Sequence, residues 1–287
     1  MSASRGPSVR QRRLAAELRR LRERGNLTGD DVAFQLKWST AKVSRIENAR
    51  TAVKINDVRR LLDLYAVTGP HRDEIIALAH DAAERGWWEE YRDLVGGYPA
   101  YIALEAEAGS IRQWESHNMP GLLQTHDYAR ATILGWNAIS ATPPREIDRR
   151  VEVRLRRQRI LMGDRPTDLS VVVDESVLHR RVGDAAVMRA QLRHLLDVSQ
   201  RDNVHLRILR LDGDHPIMEG SFTLLEFPPV HDVIFPDMVH TESLTVSHFE
   251  DEMTTHLYRL AYESLARAAL SHEDSRELIS ATLRIWK

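Results

Sequence analysis

Cysteine is absent from all 287 residues, which excludes disulfides and thiolate metal sites and fits a reducing compartment. The 13 histidines are scattered, and His231, His240, His248 and His256 lack the i, i+4 pairing of a helical metal site. No apolar run approaches the ~20 residues of a membrane span, and the arginine-rich start has no signal-peptide core behind it, so a cytoplasmic protein is expected. There is no P-loop, no GxGxxG ahead of a helix, no HExxH, no calcium-binding loop and no GxSxG elbow. The carboxylates to inspect first are Asp174-Glu175, Glu105 and Glu107, yet Glu105 and Glu107 are two apart and point to different sides of a helix. The expectation is a protein that is not an enzyme and that carries no cofactor and no metal.

What the chain does have is unevenly placed charge. Its length allows one large domain or two ordinary ones, and 43% hydrophobic content is enough for a packed core. The formal net charge of -2 conceals an asymmetry. Residues 1–68 hold 15 Lys and Arg against 7 Asp and Glu, an excess of eight, which leaves the remainder about ten negative. A polyanion is drawn to the first segment and repelled by the second. No internal repeat of helical-hairpin period is present.

Residues 27–50, LTGDDVAFQLKWSTAKVSRIENAR, are where spacing, capping and charge agree. Thr28, an N-cap type, precedes Asp30 and Asp31, and Val32, Ala33 and Leu36 then recur at helical spacing. After a break at Lys37 and Trp38, Ser39 caps a second helix. There Val43 and Ile46 point inward, while Thr40, Ala41, Lys42, Ser44 and Arg45 point largely outward. Small, hydroxylic and basic side chains at the start of a short helix suit an element entering the DNA major groove.

This stretch resembles the helix-turn-helix of Xre-type (Cro/repressor-like) regulators, most plainly in STAKVSRIENAR with its SRIEN core. The resemblance implies that Thr40, Ala41 and Lys42 face base edges and that Ser44 and Arg45 contact bases or phosphate. It also implies that Glu47 pairs with an arginine of the first helix, here Arg22. The expected DNA-contacting set is Thr28, Ser39, Thr40, Ala41, Lys42, Ser44, Arg45, Arg50 and Lys54. Two positions depart from the family pattern. Gly29 stands where a phosphate-contacting glutamine is common, and Ala49 replaces the glycine that usually supplies a left-handed stop.

Around this stretch, residues 1–8 read as a disordered arm. Val9 to about Arg24 reads as a helix whose apolar positions leave an arginine-dense face, either solvated or, through some of Arg10, Arg12, Arg13 and Arg20, in contact with phosphate. Ile55, Val58, Leu61, Leu62 and Tyr65 make another apolar stripe, stopped by Gly69-Pro70, and a fifth helix runs from about Arg72 to Arg85. Residues 9–85 therefore form an all-α domain. Residues 86–100, with two adjacent tryptophans and GGYP, form a junction.

Residues 101–287 read as an α+β domain. Ala103, Leu104, Ala106, Ile111 and Trp114 fit one helix, which MPG breaks, and a long charged helix spans Arg145 to Gly163. Its arginines are either a second nucleic-acid surface or partners of nearby acids. Leu169–Val173 is a buried strand, Ala185–Gln200 a helix, and VHLRIL, SFTLLEF and DVIF suggest an antiparallel sheet ahead of helices at Phe249–Leu270 and Asp274–Trp286. Trp114, Met119, Leu122, Leu123 and Tyr128 form either plain core or an exposed groove for a ligand or partner.

This half is similar to the conserved domain of unassigned biochemistry attached to actinobacterial helix-turn-helix regulators, the WhiJ-like group. The residues that carry the likeness are GWW-x2-Y, LEAEAGSIR, MPGLLQTHDYARA, RRQRILM, DES-x-L, VM-x2-QL and SFTLLEF. The resemblance implies a small partner protein encoded nearby in preference to a small-molecule effector. The expectation is a multidomain, sequence-specific DNA-binding transcriptional regulator whose α+β regulatory domain senses such a ligand or partner. It binds double-stranded DNA as a homodimer, because one recognition helix covers too few base pairs for tight specificity. The competing class is an antitoxin-like or adaptor module whose helical domain binds another protein.

Overall fold

The computed structural model describes residues 8–84, 86–91, 98–229, 235–242, 247–250 and 252–287. The chain divides into two compact units, Met1–Glu90 with Phe227–Phe235, and Tyr91–Glu226 with Pro236–Lys287. The first is all-α and the second α+β, the architecture expected from the sequence. Of the expected arm only Ser8 is among the described residues, and Gly96-Gly97 of the junction also lies outside them.

The first unit is built from α1 (Val9–Arg24), α2 (Gly29–Leu36), α3 (Thr40–Glu47), α4 (Ile55–Leu64) and α5 (Gly69–Ala83). Capping fixes where they start. Ser8 and Gln11 form a capping box on α1, Thr28 and Asp31 another on α2, and the Ser39 hydroxyl accepts from the Lys42 amide on α3. Their apolar faces meet in one core containing Leu14, Leu18, Val32, Val43, Ile46, Val58, Leu62 and Ile75. Each such side chain, fully buried, contributes roughly 1.5–3 kcal/mol. The Phe227–Phe235 segment belongs to this unit: Arg13 donates to the Pro228 carbonyl at 2.8 Å, and the rings of Phe227 and Phe235 meet edge to face at 4.9 Å.

The first four helices stop in the same way, in the left-handed region without glycine. Asn26, Lys37, Ala49 and Ala66 have φ of 52°, 55°, 51° and 54°. The next amide in each case reaches back to the last turn, as from Arg50 to the Arg45 carbonyl at 2.8 Å and from Val67 to Leu62 at 2.9 Å. Ala49 thus makes the turn that glycine makes elsewhere. Gly69-Pro70 does not end α4, which Ala66 has already turned. Instead it opens α5, where the missing proline amide is no loss.

The second unit carries a six-stranded sheet in the order β3-β2-β1-β4-β5-β6: β1 (Ser110–Glu115), β2 (Asp168–Asp174), β3 (Val204–Leu209), β4 (Phe222–Glu226), β5 (Met238–Glu242) and β6 (Ser247–Glu250). α6 (Tyr98–Glu105) leads into β1, and β1 to β3 are parallel. Their crossovers hold α7 (His126–Gly135) and α8 (Pro144–Arg157), then α9 (Ser176–His179) and α10 (Ala185–Val198). β4 to β6 return antiparallel. α11 (Glu252–Ala268) packs on the sheet through Tyr262 and Leu265 against Trp114, Val172, Phe222, Leu224 and Val239. α12 (His272–Leu283) packs beside α10 and β3.

Two expectations are corrected here. Ile111 and Trp114 do not continue the helix: α6 ends at Glu105, and Ser110–Glu115 becomes the strand between β2 and β4, with Gln113, Trp114 and Glu115 all buried. A strand covered on both faces loses its alternation, and spacings of three fit either period. VHLRIL pairs with Leu169–Val173 in parallel, because the 14-residue α10 between them requires a crossover. Of DVIF, all but Phe235 lies outside the described residues.

Candidate nucleic-acid interface

α2 and α3 are joined by Lys37, Trp38 and Ser39, with the left-handed Lys37 ending α2 and the Trp38 amide closing on the Ala33 carbonyl at 2.8 Å. Val43 and Ile46 anchor α3 from beneath. Thr40, Ala41, Ser44 and Arg45 are exposed on its other side, as are Thr28, Ser39, Arg50 and Lys54 around it. The Thr28 hydroxyl is engaged within its own capping box, donating to Asp31 at 2.6 Å. These bonds from Thr28 lower the Asp31 carboxyl below its ordinary value. An open hollow of about 280 Å³ lies among α1, the start of α2 and α3, with Gly29, Thr40 and Ser44 on its wall.

Arg22 and Glu47 fix the tilt of α3. The guanidinium donates in a fork to both carboxylate oxygens, at 2.7 and 3.0 Å, and its remaining nitrogen donates to the Leu27 carbonyl at 2.7 Å. The pair is nearly buried, at 13% and 10% side-chain exposure. Donating these hydrogen bonds to Glu47 raises the arginine above its ordinary value. One side chain thus ties the end of α1, the entry to α2 and the end of α3.

The first helix is less available than its arginines suggested. Arg13 is buried and donates to Pro228. Arg20 grips the buried Glu17, which also meets His71 of α5 at 3.2 Å, and Arg10 lies 3.6 Å from Glu84. Of the four arginines, Arg13 is therefore excluded from phosphate contact by burial.

Lys42 departs most from the reading of α3 as an open edge. Its ammonium lies 2.9 Å from Asp57 on α4 and 3.7 Å above the Trp38 ring. Arg60 approaches the same ring at 5.2 Å and donates to the Leu36 carbonyl at 2.8 Å. Sequence reasoning did not single out Trp38, Asp57 or Arg60. The i, i+4 spacing of Trp38 and Lys42 was a usable signal for the first.

Comparison with known proteins agrees with this division. Residues 98–281 match a family described as "Domain of unknown function (DUF5753)". The chain belongs to the DUF5753 family. Residues 13–75 match a second family, described as "Helix-turn-helix domain", so this DUF5753 protein carries a helix-turn-helix in front of the family's domain. No curated protein and no solved structure matches the chain.

Inside the DUF5753 region the possible groove closes up as core. Trp114, Met119, Leu122, Leu123 and Tyr128 are each at most 3% exposed. The MPGLLQT loop is sealed by side-chain amides: Gln124 donates to the Met119 carbonyl at 2.7 Å, Gln191 of α10 to Leu123 at 2.6 Å, and Gln158 to Gln124 at 2.6 Å. A loop whose carbonyls are satisfied internally can be buried, and this one is. One arginine of α8 is drawn inward as well. Arg157 forks onto the buried Glu105 at 2.6 Å twice and reaches the Tyr98 hydroxyl at 2.6 Å. No helix among the described residues is long and apolar enough to cross a membrane, and no group of three metal-ligating side chains occurs among them.

Proposed function

We propose that this protein is a sequence-specific, double-stranded-DNA-binding transcriptional regulator of Xre type and of the actinobacterial WhiJ-like group. It acts in the cytoplasm as a homodimer, and its C-terminal domain is a non-catalytic sensor of a ligand or small partner protein. The observation that carries the DNA-binding reading is α3. A short helix, capped by Ser39 and levelled by Arg22–Glu47, exposes Thr40, Ala41, Ser44 and Arg45 along one edge. Hydroxyls, a methyl and a guanidinium are groups that read base edges in a major groove. The positive excess of residues 1–68 supports it, since the acidic remainder is repelled by the same duplex.

Selection of bound sequences from a random DNA pool, followed by gel shifts at two salt concentrations, tests this. A homodimer yields a palindromic consensus with half-sites separated by about one helical turn, roughly 10 base pairs, or a multiple of it. An adaptor module gives no saturable, sequence-selective complex, and that result overturns the reading.

A further inference from the structure

Resting on that DNA-binding reading, we propose that Asp57 holds Lys42 off the nucleic acid. Lys42 is then a positioning residue of the recognition helix, and base preference rests on Thr40, Ala41, Ser44 and Arg45.

The lysine sits in the first turn of α3, where a basic side chain is well placed to reach a guanine. Its ammonium is already committed on two sides. Asp57 takes it at 2.9 Å and the Trp38 ring lies beneath it at 3.7 Å. The carboxylate side chain is 17% exposed and the lysine 32%, so the pair is partly shielded from solvent screening. Both partners are fixed from behind. Trp38 packs on the core of the first unit, with Arg60 on its ring and on the Leu36 carbonyl. Asp57 occupies the first turn of α4, where the helix dipole favours a negative charge. To donate to a base, the ammonium must leave the carboxylate and the ring together and expose an uncompensated anion beside the duplex.

Two consequences follow for DNA. The lysine contributes no net charge, so phosphate attraction near α3 falls to Arg45, Arg50 and Lys54. The carboxylate also acts against every sequence equally, so it lowers affinity throughout and leaves the gap to the correct site unchanged. Trp38, Lys42 and Asp57 thereby tie the turn, the recognition helix and α4 to one another.

The test uses the full chain, a selected operator duplex and a scrambled duplex, with affinity measured across a salt series. Asp57→Asn frees the ammonium. It is expected to tighten both duplexes several-fold, to leave the ratio between them unchanged, and to steepen log K against log salt by about 0.9, the increment of one phosphate contact. That slope does not depend on the fraction of protein that is active, so partial misfolding does not obscure it. Lys42→Met is expected to weaken all sequences alike and to leave the selected consensus intact, whereas Arg45→Ala relaxes one position of it. An unchanged slope in Asp57→Asn, or a base position relaxed by Lys42→Met, overturns the proposal. If the parent protein selects no sequence at all, the DNA-binding reading fails instead.

Discussion

Ala66 turns the chain out of α4 at φ 54° while its side chain faces solvent. A left-handed alanine costs about 1–2 kcal/mol, and glycine there returns roughly 0.4–1 of the gain through the greater freedom of its unfolded chain. Ala66→Gly is therefore expected to stabilise the helical unit by about 0.5–1 kcal/mol, read as a higher urea midpoint. Ala49→Gly should gain less, because its methyl is buried and would be lost. An Ala66→Gly protein no more stable than the parent would show that the local twist carries no strain. From the sequence, Ala49 looked unsuited to a left-handed stop. The closing amide bonds around it, and the same geometry in three neighbouring helices, show that the fold outweighs a penalty of this size.

At the scale of elements, α3 is held by a fork of charge as well as by its apolar side. Removing the carboxylate with Glu47→Ala leaves Arg22 nearly buried, with the Leu27 carbonyl and the more exposed Glu23, 3.5 Å away, as its partners. Breaking a shielded pair in this way is expected to cost about 3 kcal/mol. Urea unfolding should show that loss, and operator binding should weaken with its base preference unchanged. Arg22→Met combined with Glu47→Leu should recover most of the stability, because apolar replacement removes both desolvated charges at once. A double variant as weak as Glu47→Ala would mean the fork supplies more than charge compensation. This pairing was legible from family resemblance. The identity of β1 was not, since its spacing served helix and strand equally, and only its two neighbours decided the matter.

For the molecule as a whole, two buried groups of the second unit set opposite dependences on pH. Burial pushes the Glu115 carboxyl up to about 7, with hydrogen bonds from Ser221 and Gln113 opposing it. Burial and the nearby Arg157 push His240 down to about 4. The Glu115 contribution is present below its ordinary value of 4.5 and is lost as pH rises through about 7. The His240 contribution is present above 6.5 and is lost as pH falls through about 4. Between 4.5 and 6.5 the folded chain keeps a proton on Glu115 that the unfolded chain releases, while the unfolded chain gains one on His240, so the two effects cancel. Glu115→Gln is expected to remove the balance. Stability relative to the parent should then fall on acidification by about 1.4 kcal/mol per pH unit in that window. Urea midpoints at several pH values, taken for both proteins, give the difference, and parallel profiles would contradict the assignment.

The sequence alone determined the helical unit, its five helices and the inward faces of α2 and α3. Those features arise from contacts a few residues apart: caps that close over three positions and apolar side chains at helical spacing. Tertiary structure decided the rest. The fate of Lys42 depends on an aspartate fifteen positions further on, β1 on strands that begin at Asp168 and Phe222, and the burial of MPGLLQT on an amide from α10. A local pattern states which side of an element is apolar or polar. Only the packed chain determines which distant group a polar side chain meets, and that meeting settles whether its charge is spent inside the protein or offered to a partner.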